Sequence, residues 1–418
     1  MQREGPAGTV RRVAVSGIGA VCGLGWGVAP LWAGLRSGRP AFVPVRRFDH
    51  SQHRTHLASE VGEPPAELAR VIPGWRRLSV ADRFAVFAAS EAVERAGLLV
   101  PLSEEAGVYF GSSTGGMYES ELFFSDFLRG RRRARLSVLA SQQVNGPGDA
   151  VARRFGVAGP VETLSSACAS GALALAMALD AVRSGEVEVA VAGGADSLCQ
   201  LTYAGFNSLR SVDEAPCRPF RACRAGMSFG EGAAALVLEP LDRVLARGAE
   251  PLAELAGAGA SCDAHHMTAP DPTGAGAAAA LSAALADAGL GPEAVDFINV
   301  HGTGTPLNDA AEWRALQRVF GEQAERIPLV ATKALVGHLL GCSGALEAVA
   351  TILCLQHGEL HPAWNGTAEC EADPELPVSL VTGEPLPLPA ARTAVSTSLA
   401  FGGSNAALVF SRWTDRSA

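Results

Sequence analysis

Four short segments carry residue types able to do nucleophilic chemistry. The first runs from Val161 to Arg183. A β-prone run, Val161-Glu-Thr-Leu, meets Ser165-Ser-Ala-Cys168-Ala-Ser-Gly171, and a long helical pattern follows. This order puts Cys168 at a strand-to-helix turn, at a helix N-terminus whose unpaired N–H groups favour a thiolate. Small neighbours allow a tight turn and keep the sulfur accessible. The plain alternative is a buried structural cysteine, the usual fate of that residue type.

The second segment is His301-Gly-Thr303-Gly-Thr305-Pro306, after the apolar run Phe297-Ile-Asn-Val300. A histidine just past a strand end, on a glycine-rich loop, projects into a crevice. Thr303 and Thr305 are placed to hydrogen-bond the imidazole and fix its tautomer; a capping histidine in a turn is the alternative. The third segment is Lys333-Ala-Leu-Val-Gly-His338, followed by a helix containing Glu347. Lys333 and Glu347 are expected to pair in the interior behind His338, since one buried charge alone is costly. An ordinary loop with a surface lysine is the other reading. The fourth is Ser398-Leu-Ala400-Phe401-Gly-Gly-Ser-Asn405, where a lone aromatic beside glycines reads as a movable plug, a backbone donor or a simple turn.

Such residues need a scaffold. The chain has 418 residues, 48% hydrophobic and 18% charged, enough for a large core in two domains or one duplicated one. Net charge is −9, against a nucleic-acid binder. The run Arg131-Arg132-Arg133 with Arg135 reads as a solvated face, with a docking patch for an acidic partner as the alternative. Nine scattered cysteines without a CxxC pair suggest a reducing, cytoplasmic setting, no disulfide framework and no metal site. Residues 13–35, although they carry no charge, hold six glycines and Pro30, so a strand Val13–Val15 followed by a glycine loop is expected, not a membrane span.

Strand-like runs such as Gly107–Phe110, Val187–Ala192, Ala234–Leu238, Leu329–Ala331 and Ala406–Phe410 alternate with helical runs such as Ala81–Ala96, Gly276–Ala288, Ala310–Phe320 and Gly344–His357. The pattern predicts an α/β fold with largely buried sheets. Cys168-Ala-Ser-Gly-Ala-Leu and Cys342-Ser-Gly-Ala-Leu each open a helix, a sign of two similar halves joined near Glu239 to Ala258.

In their order and spacing, the four segments resemble the β-ketoacyl-[acyl carrier protein] synthases of the elongating type, from fatty-acid or polyketide synthesis. The resemblance runs from Val13-Ala-Val-Ser-Gly-Ile-Gly through Gly193-Gly-Ala-Asp196 and Phe229-Gly-Glu-Gly to Phe401-Gly-Gly-Ser-Asn405. It implies a thiolase-like fold, two similar halves in α/β/α/β/α layers, with residues 1–250 carrying Cys168 and 251–418 carrying His301, Lys333 and His338. It implies an acyltransferase: Cys168 takes an acyl group from a carrier protein, and malonyl-carrier protein loses carbon dioxide and attacks the thioester. His301 and His338 then stabilise the enolate, Lys333 positions His338 with Glu347 behind it, and the backbone N–H groups of Cys168 and Phe401 hold the thioester oxygen. Phe401, after Ala400, is the gate, Thr114 lines the acyl pocket, and Arg210 and Thr268 contact the carrier protein or its pantetheine arm. No cofactor or metal is implied. The partners are acyl carrier protein and a second chain, a copy of itself or a chain-length-factor-like homologue.

The chain departs from the family pattern at Arg221, after Pro219-Phe220, and at Ala225, where acidic residues are usual, at Val336 for threonine, and at Ala400 for glycine, which predicts a stiffer gate. Asp196-Ser-Leu-Cys-Gln together with Asp263-Ala-His-His-Met-Thr268 is reminiscent of polyene-pathway synthases. The competing reading is a noncatalytic chain-length-factor-like subunit, which would lack the nucleophile; a thiolase would need a second cysteine in Ser396–Asn405, and none is there.

Overall fold

The computed structural model describes residues 11–130, 136–364 and 370–414; the arginine run 131–135 lies outside them. One twelve-stranded sheet runs through the molecule. Its main strands are β1 (Val13–Cys22), β2 (Ala106–Gly111), β3 (Val161–Leu164), β4 (Val189–Asp196) and β5 (Gly232–Pro240), then β6 (Ala253–Cys262), β7 (Phe297–Asn299), β8 (Pro328–Val330), β9 (Ser379–Leu380), β10 (Thr393–Leu399) and β11 (Ser404–Ser411). They lie in the order β9-β8-β7-β10-β11-β6-β1-β5-β4-β2-β3.

The order is a repeat. In the first half β1, β5 and β4 are antiparallel neighbours, and β4, β2 and β3 are parallel. In the second half β6, β11 and β10 are antiparallel, and β10, β7 and β8 are parallel. The halves meet where Ala14 faces Glu254 and Val15 faces Ala253. Even the irregularities match: a bulge separates Val15 from Gly17 in β1 and Leu255 from Gly257 in β6.

The helices fill the remaining layers. α1 (Val80–Arg95), opened by a capping box of Ser79 and Asp82, and α2 (Gly146–Phe155) cover the first half. α4 (Ala275–Asp287) and α5 (Pro306–Phe320) cover the second. Between the halves lie α3 (Ser170–Ser184) and α6 (Ser343–His357), packed on each other and on strands of both. Residues Ala167–Ser184 and Leu340–His357 are long and apolar enough to cross a membrane, but 61% and 89% of them are buried inside the protein, as core helices are.

The glycine loop expected after Val15 is instead the continuation of β1 to Cys22. Its glycines serve close packing rather than a turn. A Cβ on Gly17 would stand 2.0 Å from the Ala92 carbonyl oxygen of α1, and one on Gly19 would stand 1.9 Å from that of Ala88. Gly257 and Gly259 on β6 meet Ala284 and Ala280 of α4 in the same way.

A second correction concerns the cysteines. Cys223 and Cys370 form a disulfide, with Cα atoms 5.9 Å apart. They are 147 residues apart in sequence, so no local spacing announces the pair. The other seven are free thiols, six of them buried.

Candidate active site

The segments that follow β3, β4, β7, β8 and β10 bring their residues to one cavity, since the loops after strands are where α/β folds gather their ligands. The Cys168 turn follows β3. Ala167 adopts φ 45°, a left-handed conformation uncommon outside glycine, and the chain then enters α3 through bonds from Ala169 N to the Ser166 oxygen and from Ser170 N to the Ala167 oxygen. Cys168 is thus held just before the helix, 6% exposed. Burial pushes its thiol up to about 11, while Lys333 and the backbone N–H groups of Phe401 and of Cys168 itself pull it down. Two backbone donors therefore face the sulfur.

His301 and His338 stand opposite, ring centroids 5.4 Å apart and nearly perpendicular. Burial, the cation of Lys333 and His338 hold His301 well below its ordinary range; burial and Lys333 do the same to His338. Both rings are neutral at pH 7. On each, Nδ1 is engaged. The Lys333 ammonium lies 3.1 Å from Nδ1 of His301. Leu340 N donates to Nδ1 of His338 at 3.0 Å, with Ser343 Oγ 2.9 Å away. An ammonium or an amide can only donate, so each ring keeps its proton on Nε2.

Lys333 also forms a buried ion pair with Glu347. Burial pushes the Glu347 carboxyl up to about 7 against the pull of that lysine. The pair stands behind His301, not behind His338 as expected, because the short helix Lys333–Val336 begins under the His301 loop. The threonines also differ from expectation. Thr303 and Thr305 place their hydroxyls 2.9 Å from each other, and neither is bonded to the imidazole. The left-handed turns at Gly302 and Gly304 bring the two side by side.

The His301 loop is instead anchored by a residue the sequence reading did not single out. Glu312, on the second turn of α5, accepts from His301 N at 2.7 Å, Gly302 N at 2.9 Å and Thr397 Oγ1 at 2.8 Å. Asp309, one turn earlier, accepts from Phe220 N and Gly304 N, and burial lifts it to about 7. Two acids three residues apart at a helix start, just after the histidine loop, were the available signal.

Phe401 stacks on Phe206, centroids 5.2 Å apart. Its loop turns through Gly402 and Gly403, both at positive φ, while Ala400 is not, so alanine at 400 costs the turn nothing. The loop is tied down by Gly402 N to the Met267 oxygen, Asp263 N to the Gly403 oxygen, and Asn405 Nδ2 to Asp263 Oδ1 at 2.7 Å. Ser166 Oγ bonds Ser404 Oγ, joining the nucleophile turn to it.

Cys168, His301, His338 and Phe401 line one cavity of about 310 Å³, with Arg210 and Thr268 on its wall. Thr114 does not line it: its hydroxyl turns inward to Asp196 Oδ1 at 2.9 Å. Ala225 does line it, and leaves a neutral wall there. Among the described residues Arg221 pairs with no acid; its guanidinium lies over the Trp364 ring, 4.8 Å from the centroid.

This arrangement offers a thiol facing two backbone donors and, across a cavity, two neutral imidazoles presenting N–H. Residues 10–243 match the family described as "Beta-ketoacyl synthase, N-terminal domain", and residues 252–367 match "Beta-ketoacyl synthase, C-terminal domain". The chain is 35% identical over 413 residues to the 3-oxoacyl-[acyl-carrier-protein] synthase 2 of Synechocystis sp., covering 96% of this chain and 98% of that protein. Among solved structures it resembles the ishigamide ketosynthase/chain length factor, with a TM-score of 0.89, 35% identity and coverage of 97% and 100%. It also resembles AntDE:AntF, a type II PKS acyl-carrier protein in complex with its ketosynthase bound to the hexaketide, with a TM-score of 0.87, 26% identity and the same coverage. A thiolase-like duplication, a cysteine turn and paired histidines agree with these matches over nearly the whole length: the chain belongs to the β-ketoacyl synthase family.

Proposed function

We propose that the chain is an elongating β-ketoacyl-[acyl carrier protein] synthase. The observation that carries the reading is the opposition of the Cys168 thiol, facing the N–H groups of Cys168 and Phe401, to the Nε2–H donors of His301 and His338. In the first stage Cys168 Sγ attacks an acyl thioester. The carbon–sulfur bond to pantetheine breaks, and the thiol proton leaves with the pantetheine sulfur. The two backbone donors meet the negative oxygen of the tetrahedral intermediate. In the second stage the malonyl carbon–carboxylate bond breaks, carbon dioxide leaves, and the electron pair enters the thioester as an enolate. His301 and His338 donate to its oxygen, each such donor being worth roughly 3–4 kcal/mol. The enolate carbon then attacks the acyl carbon on Cys168 and expels the thiolate, giving a β-ketoacyl product two carbons longer.

Lys333 fixes the tautomer of His301, with Glu347 as its counter-charge. Phe401 gates the cavity between stages, and Arg210 and Thr268 meet the pantetheine arm. Thr303 and Thr305 shape the wall beside His301. Loss of carbon dioxide drives the reaction, so no metal or redox cofactor is called for. The competing reading, a chain-length-factor-like subunit that does not condense, leaves Cys168 and its two donors without a task.

The carrier-protein partner is supported by the likeness to AntDE:AntF, and a paired chain by the likeness to a ketosynthase/chain length factor. The helix Met117–Leu128 exposes Phe124, Phe127 and Leu128 on one side, a face fit for a second chain, either a copy or a homologue. Seven free thiols among nine cysteines support a cytoplasmic setting, and we place the enzyme in polyketide or fatty-acid synthesis, with a polyene product as the narrower reading.

The test is intact-mass spectrometry of wild type and Cys168→Ala after incubation with acyl-carrier proteins of several chain types. An acyl adduct on the wild type alone is expected, and its preferred chain names the pathway. An adduct only after co-expression with a homologous partner points to a heterodimer. No adduct under either condition overturns the reading.

A further inference from the structure

We infer that Asp196 is a positioning residue that sets the nucleophile turn and the His338 turn against each other, one from each carboxylate oxygen. The inference rests on the two-stage condensation proposed above. Asp196 ends β4 and is buried, 1% exposed. Oδ1 accepts from Ser112 Oγ at 2.7 Å, Thr114 N at 2.8 Å and Thr114 Oγ1 at 2.9 Å. Oδ2 accepts from Gly341 N at 2.7 Å. Ser113 N is shared, 3.0 Å from each oxygen. These five donors are neutral, and three are backbone groups of loops whose shape decides where the reacting groups stand.

Each oxygen leads to a different half of the chemistry. The Ser112–Thr114 loop reaches the nucleophile because Ser113 Oγ donates to the carbonyl oxygen of Ala167 at 3.1 Å. Ala167 is the residue at φ 45° immediately before Cys168. A strained residue persists only where its surroundings hold it. Gly341, on the other oxygen, follows Leu340, which is itself at φ 53° and donates to His338 Nδ1. The fit is tight: a Cβ on Gly341 would stand 2.8 Å from Asp196 Oδ2 and from Ser113 N and Oγ.

A carboxylate is required because all its neighbours donate. An asparagine keeps the Oδ1 contacts by turning its oxygen to that side. It then presents an NH₂ group to Gly341 N–H, two donors face to face. Ser113 N also faces that NH₂ group but keeps its bond to Oδ1, so the damage falls chiefly on the His338 side. The Asp196 charge also opposes thiolate formation at Cys168, so its loss does not hinder the nucleophile electrostatically. Ser113→Ala does the converse: it cuts the link to Ala167 and leaves Gly341 bonded.

The two half-reactions are assayed separately on the full chain. Acyl transfer is read as the mass adduct on Cys168 from octanoyl-pantetheine. Decarboxylation is read as acetyl-pantetheine formed from malonyl-pantetheine, the carbon–carboxylate bond breaking, carbon dioxide leaving and the enolate taking a proton at carbon. In Asp196→Asn, decarboxylation is expected to fall by at least about 30-fold, a partial loss of one oxyanion donor, with acyl transfer within about threefold of wild type. In Ser113→Ala the order reverses, and iodoacetamide labelling of Cys168 slows with it. Ser113→Ala removes one hydroxyl and keeps the test alive should Asp196→Asn not fold. An active wild type whose variants lose both half-reactions in equal proportion, or lose neither, overturns the positioning role alone. A wild type inactive in both refutes the condensing reading and this inference with it.

Discussion

Replacing Lys333 by methionine removes a cation and keeps most of the volume of its stem. Lys333 is 1% exposed and pairs with Glu347, 2% exposed. Removing one partner of a buried pair leaves the other charge uncompensated, a loss of about 3–5 kcal/mol. Protonation of Glu347 relieves part of it. Burial already lifts that carboxyl from an ordinary 4.5 to about 7 with the lysine present. The sign follows from which state holds the proton. Between about 4.5 and 7 the unfolded chain releases it while the folded protein keeps it, so stability falls as pH rises, by about 3 kcal/mol in all, and levels off above 7. Without Lys333 the folded value rises further, so the decline continues past pH 7. Urea denaturation from pH 5 to 9 is the assay. Lys333→Met should unfold at lower urea than wild type at pH 8, with a gap that narrows toward pH 5, and Lys333→Met with Glu347→Gln should recover most of the loss. A single-variant cost under about 1 kcal/mol at pH 8, or a double variant as weak as the sum of the two singles, would refute the reasoning.

Three further outcomes follow from the same geometry. Alkylation of Cys168 by iodoacetamide should rise about tenfold per pH unit from pH 7 toward 10, because burial holds the thiol near 11; a plateau below pH 8 would contradict this, and Lys333→Met should slow labelling further by removing the cation that favours the thiolate. Gly257→Ala drives a Cβ to 2.6 Å from Ala284 O and Ala288 N, so it should lose about 1–3 kcal/mol or more in chemical denaturation, as should Gly17→Ala at the equivalent place. Thiol titration of the denatured, unreduced protein should count seven groups, and Cys223→Ser should lower stability by about 2–4 kcal/mol.

The α/β alternation and the duplication were legible because both are written in local pattern: buried parallel strands read as apolar runs, and Cys168 and Cys342 each precede a long apolar helix. Gly17 and Gly19 misled, since a glycine that lets α1 approach a strand looks, in sequence, like one that makes a turn. The four loops of the site could be picked out because reactive residues sat beside glycines at strand ends. Their bonding could not, because partners are set across the fold. Lys333 reaches His301 rather than His338, Thr114 faces Asp196 rather than the cavity, and Thr303 and Thr305 satisfy each other. Glu312 was passed over because an acid early in a helix is so ordinarily a response to the helix dipole. The Cys223–Cys370 bond spans 147 residues and leaves no local trace.

The paired central helices set a limit on modularity. In α6, Ser343 to Leu355 are all buried, against strands and a helix drawn from both halves. A helix buried all round has no face to offer water. A gene cut between residues 243 and 252 would give two polypeptides, each with a helix layer stripped of its cover. Neither should be soluble by itself. Made together, each supplies the other's missing cover, and the enzyme should reassemble from its two pieces, so that the ancestral duplication survives as a split protein whose parts are obligate partners.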